Sequence, residues 1–246
     1  MRAKPCGSTD GIAVLAGARE AAGRADSVLP SDVMARFNEL TGRGAVDAVA
    51  PTAAWAEVER AMAMPAPWRF VEVLRDCGAL ARLLPELDAL FGVPQSMARH
   101  PEVDAGLHSL LTLRRAAERT ADPAIRFAAL LHDVGKAATP REDWPHHAEH
   151  ARRGGRVAER IAARLRLPAA VRALVILAAR HHAAAQRIDT LTPAQALQLF
   201  AAIGDRPRLE ALALICEADH RGRLGYEHAL LPQAALLRDA FVAQRS

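Results

Sequence analysis

Apolar residues recur along the chain at spacings of three and four, the period of an amphipathic helix. Nowhere do they alternate strictly for long enough to predict a strand. Met34, Phe37 and Leu40 share one face that ends at Gly42, and Trp55, Val58 and Met62 share another that ends near Pro65. Phe70, Val71, Leu74 and Cys77 form a third stripe, stopped at Gly78. Leu80, Leu83 and Leu84 then run into Pro85, and a short apolar turn (Leu87, Leu90, Phe91) closes at Gly92. Longer elements follow, predicted over 103–119, 123–135, 146–166, 168–182, 192–203, 207–221 and 226–244. Pro123, Pro168, Pro193 and Pro207 stand near helix starts, where a missing N–H has no consequence. Ahead of these, Leu29-Pro30-Ser31-Asp32 is a helix-entry signal. Residues 1–30 lack firm periodicity and are read as a loose leader with a short helix around Gly11–Gly23. The fold class is all-α.

Composition sharpens this picture. Apolar residues make up 51% of the 246 positions but aromatics only 4%, so the core must be built from Ala, Leu and Val. Small side chains of that kind suit close helix packing rather than a sandwich. No stretch approaches the roughly 20 unbroken apolar residues of a membrane span. With no secretory leader pattern either, the chain reads as cytoplasmic and without a membrane partner. Three cysteines (Cys6, Cys77, Cys216) are too few and too widely spaced for a disulfide framework or a thiolate zinc site. The net charge of +4 comes almost wholly from Arg, since Lys4 and Lys136 are the only lysines. Guanidinium groups match phosphate geometry, but arginine-for-lysine usage and abundant alanine also follow from a GC-rich genome. Charge therefore permits a nucleotide or nucleic-acid partner without establishing one.

The candidate chemistry lies in unevenly spread histidines and aspartates. His108, His132-Asp133, the group His146, His147 and His150, the pair His181 and His182, and Asp219 sit on or beside different predicted helices. Imidazole and carboxylate together suit borderline divalent cations, and crossing helices can bring such ligands to one centre. The segment from Arg126 to Lys136 is the most informative. An apolar helix there runs straight into His132 and Asp133, so two ionisable groups end a buried element, a costly place unless a cation compensates. Gly135 lets the backbone leave the helix. Lys136 either caps the helix end or contacts an anion at the metal. The run Arg152, Arg153, Arg156, Arg160, Arg164 is either a solvated face or a means of steering phosphate toward the site. Trp55, Trp68, Phe70 and Phe91 are assigned to core packing; His146 is read as a solvent-facing residue that is not a ligand, and His100, His220 and His228 as surface residues.

"LLHDVGK" (130–136) resembles the signature of the HD superfamily of metal-dependent phosphohydrolases, whose pattern is His … His-Asp … Asp. "HPEVDAGLHSLLTL" (100–113) is similar to the helix that supplies the first His, here His108. "WPHHAEHARRGGRVAERIAARLRLP" (144–168) resembles the helix carrying additional His ligands, with His150 best placed and His147 second. "LAARHH" (177–182) matches the segment giving a further His, His182 by spacing with His181 as the alternative, and "EADHRGR" (217–223) puts the last ligand on Asp219. Within that superfamily the chain is most similar to the C-terminal HD region of bacterial CCA-adding tRNA nucleotidyltransferases, and "FVEVLRDCGALARLLPELDALFGVPQ" (70–95) looks like the segment just ahead of it. The nucleotidyltransferase head has no counterpart in residues 1–33, so nucleotide addition is not carried over.

The resemblance implies an HD-domain helical bundle, divided into a leader (1–30), a helical neck (31–98), an HD domain (99–225) and a C-terminal helix packed on it (226–246). It implies a phosphodiesterase or phosphatase acting on nucleotide or RNA-end phosphates, such as 2′,3′-cyclic or 2′-phosphates. His108, His132, Asp133 and Asp219 would hold one divalent cation (Ni, Mn, Co, Mg, Fe or Zn). Asp133 would bridge to a second held by His150, His182 and His147. Asp133 and Lys136 are the candidate catalytic residues, and Lys136 and Arg153 the candidate substrate contacts. tRNA, a separately encoded nucleotidyltransferase and a second copy of the chain stand as candidate partners. The competing expectation is a non-catalytic RNA-binding helical module.

Overall fold

The computed structural model describes residues 7–26 and 28–244; Lys4 and Cys6 lie outside them. The described residues form α-helices, with no sheet; most connections are short, but longer segments run over 89–104 and 132–149. In chain order they are α1 (Ser8–Ala21), α2 (Ser31–Gly42), α3 (Pro51–Ala63), α4 (Pro67–Asp76), α5 (Leu80–Leu83), α6 (Pro85–Asp88) and α7 (Ala105–Ala117). Then come α8 (Pro123–Leu131), α9 (His150–Arg164), α10 (Ala169–Ala185), α11 (Pro193–Ile203), α12 (Arg206–Arg221) and α13 (Pro232–Ala243). The expected class holds. Proline occupies the first turn of α3, α4, α8, α11, α12 and α13. Asp104, Asp122 and Asp205 accept bonds from the free amides at the starts of α7, α8 and α12. Thr192 and Gln195 close a reciprocal capping box on α11.

The core is one continuous apolar cluster from Val14 to Phe241. At its centre α8 is buried on every side, packed against α3, α7, α10 and α12. Trp55 meets Phe127 edge-on at 5.1 Å, joining α3 to α8. Buried Arg126 ties the same region together: its guanidinium donates to the carbonyls of Met62, Met64, Ala117 and Thr120, which α3 and α7 leave unpaired at their C-terminal ends.

Three sequence expectations change. The short helix expected around Gly11–Gly23 is present as residues 8–21, but it is seated in the core and not part of a loose leader: Val14, Leu15 and Ala18 are fully buried, and Arg19 pairs with Glu57 at 2.9 Å. The helix carries little apolar periodicity because it packs through glycine. A Cβ on Gly11 would fall 2.2 Å from the Ala45 carbonyl oxygen, and one on Gly17 would fall 2.3 Å from the Phe37 ring. The helix expected from 146 begins at His150, because His147 and Glu149 adopt left-handed backbone conformations (φ 51° and 56°) that no α-helix continues through. The last helix starts at Pro232 rather than 226, after Gly225 turns the chain at φ 85°.

Candidate metal centre

Close backbone approach assembles the site. Gly135 sits in ordinary right-handed conformation (φ −74°), so its role is space rather than the backbone freedom expected of it. A Cβ there would lie 2.0 Å from the His150 carbonyl oxygen and 2.4 Å from the Gly154 amide nitrogen. One on Gly154 would in turn sit 3.0 Å from the Ala179 carbonyl oxygen. These glycines press the end of α8 onto α9 and α9 onto α10, bringing His132-Asp133, His150 and His182 together. On the other side, Gly222 at the end of α12 lies against Thr112 of α7, the pair of helices that supplies Asp219 and His108.

Asp133 is the hub. Its Oδ2 lies 3.2 Å from His132 Nε2 and 3.9 Å from His108 Nε2, and accepts a bond from the Lys136 ammonium. Its Oδ1 lies 3.4 Å from both His150 Nε2 and His182 Nε2. Asp219 closes the cluster, with Oδ1 2.9 Å from His108 Nε2 and Oδ2 3.7 Å from His132 Nε2. The four imidazoles are presented in the same way. Nδ1 of His132, His150 and His182 must donate to the carbonyls of Ala129, His147 and Ala178, since a carbonyl only accepts. Nδ1 of His108 faces Glu102 Oε1 at 2.8 Å. His132, His150 and His182 therefore direct Nε2 inward with its lone pair available, the arrangement metal-binding histidines adopt, while His108 also points Nε2 inward and there donates to Asp219 Oδ1 at 2.9 Å.

Charge and burial agree with this. Burial would raise the Asp133 carboxyl, but Lys136 and then His132 outweigh it and hold the group ionised well below the usual carboxylate range. Asp219 is likewise held down against burial, by His132 and the bond to His108. Burial pushes His150 down to about 4, so its ring is neutral at neutral pH.

Asp133 Oδ1 and His132 Nε2 are buried and make no hydrogen bond. Orphaned lone pairs of this kind each cost about 1–3 kcal/mol unless something fills them. Among the described residues the donors form four overlapping groups, His100-Glu102-His108, His108-His132-Asp133, His132-His182-Asp219 and Asp133-His150-His182, each with its ligand atoms within 4.8 Å of one another. A nitrogen–oxygen set without thiolate fits a hard or borderline divalent cation. Cys216 is nearby but its thiol is buried, pushed up by burial, and faces the His182 carbonyl.

The sequence candidates sort clearly by position. His108, His132, Asp133, His150, His182 and Asp219 converge, and of the adjacent pair it is His182 whose ring faces the cluster. His147 borders the same cavity but departs from the expected ligand role. Its two ring nitrogens are engaged by Thr139 Oγ1 (2.7 Å) and the Pro94 carbonyl (2.8 Å). Arg153 is also a correction: its guanidinium donates to the Ala148 carbonyl and lies 3.9 Å from Asp143, and it is not among the residues lining the cavity. Lys136 is buried and held between Asp133 and Gln95. His100 is no surface residue: it bonds Glu102 and stacks edge-on against His108 at 4.6 Å.

Sequence reasoning missed several neighbours. Glu102, whose side chain is fully buried, lies between His100 and His108 and accepts a bond from the Leu224 amide, linking the approach to α7 with the segment after α12. Opposing burial, the two histidines hold its carboxyl below the usual range. Gln186 donates to Asp219 Oδ2 at 2.6 Å. Arg187 and Arg223 line a cavity of about 560 Å³ that opens onto the cluster, a volume suited to a small ligand. The spacing of Arg223 four residues after Asp219 was the one available signal.

The fold and site define an HD-type helical protein: residues 106–224 match the HD domain family, and the chain carries that domain. Over 97% of its length it is 43% identical to the multifunctional CCA protein of Nitrosococcus oceani, of which it covers 59%. The corresponding protein of Halorhodospira halophila is 46% identical over 96% of the chain and 58% of the relative. That of Methylococcus capsulatus is 45% identical over 85% and 50%. The chain thus spans about half to three fifths of the length of the curated relatives it matches. None of its described helices is long and apolar enough to cross a membrane.

Proposed function

We propose that the chain is a metal-dependent phosphohydrolase that cleaves phosphate esters of nucleotides or RNA ends, such as 2′,3′-cyclic and 2′-phosphates. The observation that carries this reading is the convergence of four inward-facing Nε2 atoms on the carboxylates of Asp133 and Asp219, beneath a cavity lined with cations. A divalent ion held by His108, His132, Asp133, Asp219, His150 and His182 would supply Lewis acidity and bring the pKa of a water down toward neutrality.

The chain's own side chains do the rest. Asp133, kept ionised, offers one oxygen to the His108–His132 side of the cluster and the other to the His150–His182 side. Glu102 and Gln186 fix the rotamers of His108 and Asp219. The Lys136 ammonium sits beside Asp133 at the cavity wall, where it neutralises charge that develops on a phosphoryl oxygen. Arg223, whose buried Nε is without a hydrogen-bond partner, and Arg187 at the rim orient the phosphate through guanidinium donors. The name of the relatives and the likeness to tRNA nucleotidyltransferases support an RNA end as substrate and tRNA as partner.

The test is a panel of 2′,3′-cyclic nucleotides, 2′-nucleotides and an aryl phosphodiester, assayed with chelator and after addition of Mn, Co, Ni or Mg. Hydrolysis should vanish with chelator and return with at least one cation. No hydrolysis with any metal, together with salt-sensitive tRNA binding, would favour the non-catalytic RNA-binding reading instead.

A further inference from the structure

A second cavity of about 420 Å³ adjoins the metal cluster across the Lys136 side chain. Gln95 forms part of its wall and is 3% exposed. The orientation of its amide is fixed chemically: the Lys136 ammonium can only donate, so Gln95 Oε1 must face it. The amide nitrogen is thereby turned away from Lys136, and it is buried without any hydrogen-bond partner. Buried donors are nearly always paired, so an orphan in a cavity wall points to an acceptor that binds there. The rest of the lining favours an anionic one. Ser96, exposed Arg99, His100 and His146 contribute to the wall, and no carboxylate does. The two cavities are contiguous and share Arg99, Lys136 and four histidines of their walls; Gln95 and Ser96 line the second alone, and the carboxylates Asp133, Asp219 and Glu149 line the main one alone.

We infer that this cavity is a second phosphate subsite, which receives the internucleotide phosphate next to the terminal phosphate at the metal cluster. Gln95 Nε2 and the Arg99 guanidinium are its donors. The inference rests on the phosphohydrolase reading and refines it: the substrate class becomes an oligonucleotide end with two consecutive phosphates rather than a mononucleotide.

The test is equilibrium binding to the protein as purified, with a mononucleotide and a dinucleotide that each end in a hydrolysis-resistant phosphonate. A third probe is the same dinucleotide with a neutral methylphosphonate linkage. The dinucleotide should bind about ten-fold tighter than the mononucleotide, the effect of one charge-assisted contact. Both Arg99→Ala and Gln95→Leu should remove that advantage over the mononucleotide. The neutral linkage should bind like the mononucleotide. Equal affinity for the two charged probes would overturn the subsite, as would an advantage that survives in both variants. Full retention with the neutral linkage would show recognition of a base or sugar and equally contradict it. Because the readout is binding, failure of hydrolysis in the substrate panel would count against the phosphohydrolase reading alone.

Discussion

Asp133→Asn is expected to lower turnover by about 10³-fold or more and to leave the protein without stoichiometric metal. The expectation follows from position: this carboxylate faces His132, His150 and His182 at 3.2–3.4 Å and also neutralises a buried lysine. The substitution keeps the shape of the side chain but strands the Lys136 charge, and breaking a buried pair from one side costs about 3–5 kcal/mol. A drop in stability alone could therefore mimic loss of function. The double variant Asp133→Asn with Lys136→Met removes both charges and should recover much of the stability while remaining metal-free and inactive. Elemental analysis, circular dichroism melting and the hydrolysis assay on both variants check this. Metal content and turnover near the parent's in either one would sink the assigned role.

Glu102→Ala is expected to weaken metal binding about 10–100-fold, the usual consequence of removing an outer-shell carboxylate from a ligating histidine. Glu102 is a positioning residue. It contacts the Nδ1 side of His108, so without it the ring can rotate out of the cluster. Metal titration by equilibrium dialysis should show the weaker affinity, and turnover at saturating metal should recover to within a few-fold of the parent. Glu102→Gln keeps an acceptor oxygen toward His108 and should retain more affinity than the Ala variant. A merely structural Glu102 would lower the melting temperature of both variants without moving the metal dissociation constant.

The converging residues were readable in the sequence by two routes. His132-Asp133 stands out because it ends an apolar run, whereas His108, His150, His182 and Asp219 were placed by the motifs of the family resemblance. What surrounds them was not readable. Glu102 and Gln95 lie in the loop between α6 and α7, and they join the site only because α7 packs against α12 and because Lys136 reaches across from the turn after α8. His147 shows the opposite failure: its spacing suited a ligand, but a left-handed turn directs its ring at Thr139 and Pro94. A short helix near α1 was expected, but its burial in the core was not, because it packs through Gly11 and Gly17, which hydrophobic periodicity does not register. Gly135 was recognised as important for the wrong physical reason, since it makes room for α9 rather than supplying a turn.

The most direct test of the metal centre is anomalous diffraction from crystals equilibrated with Mn²⁺. The site described here predicts a peak among His132 Nε2, His182 Nε2 and the carboxylates of Asp133 and Asp219, at about 2.0–2.3 Å from its ligand atoms. Manganese found only at surface carboxylates, with these buried side chains unliganded, would contradict it.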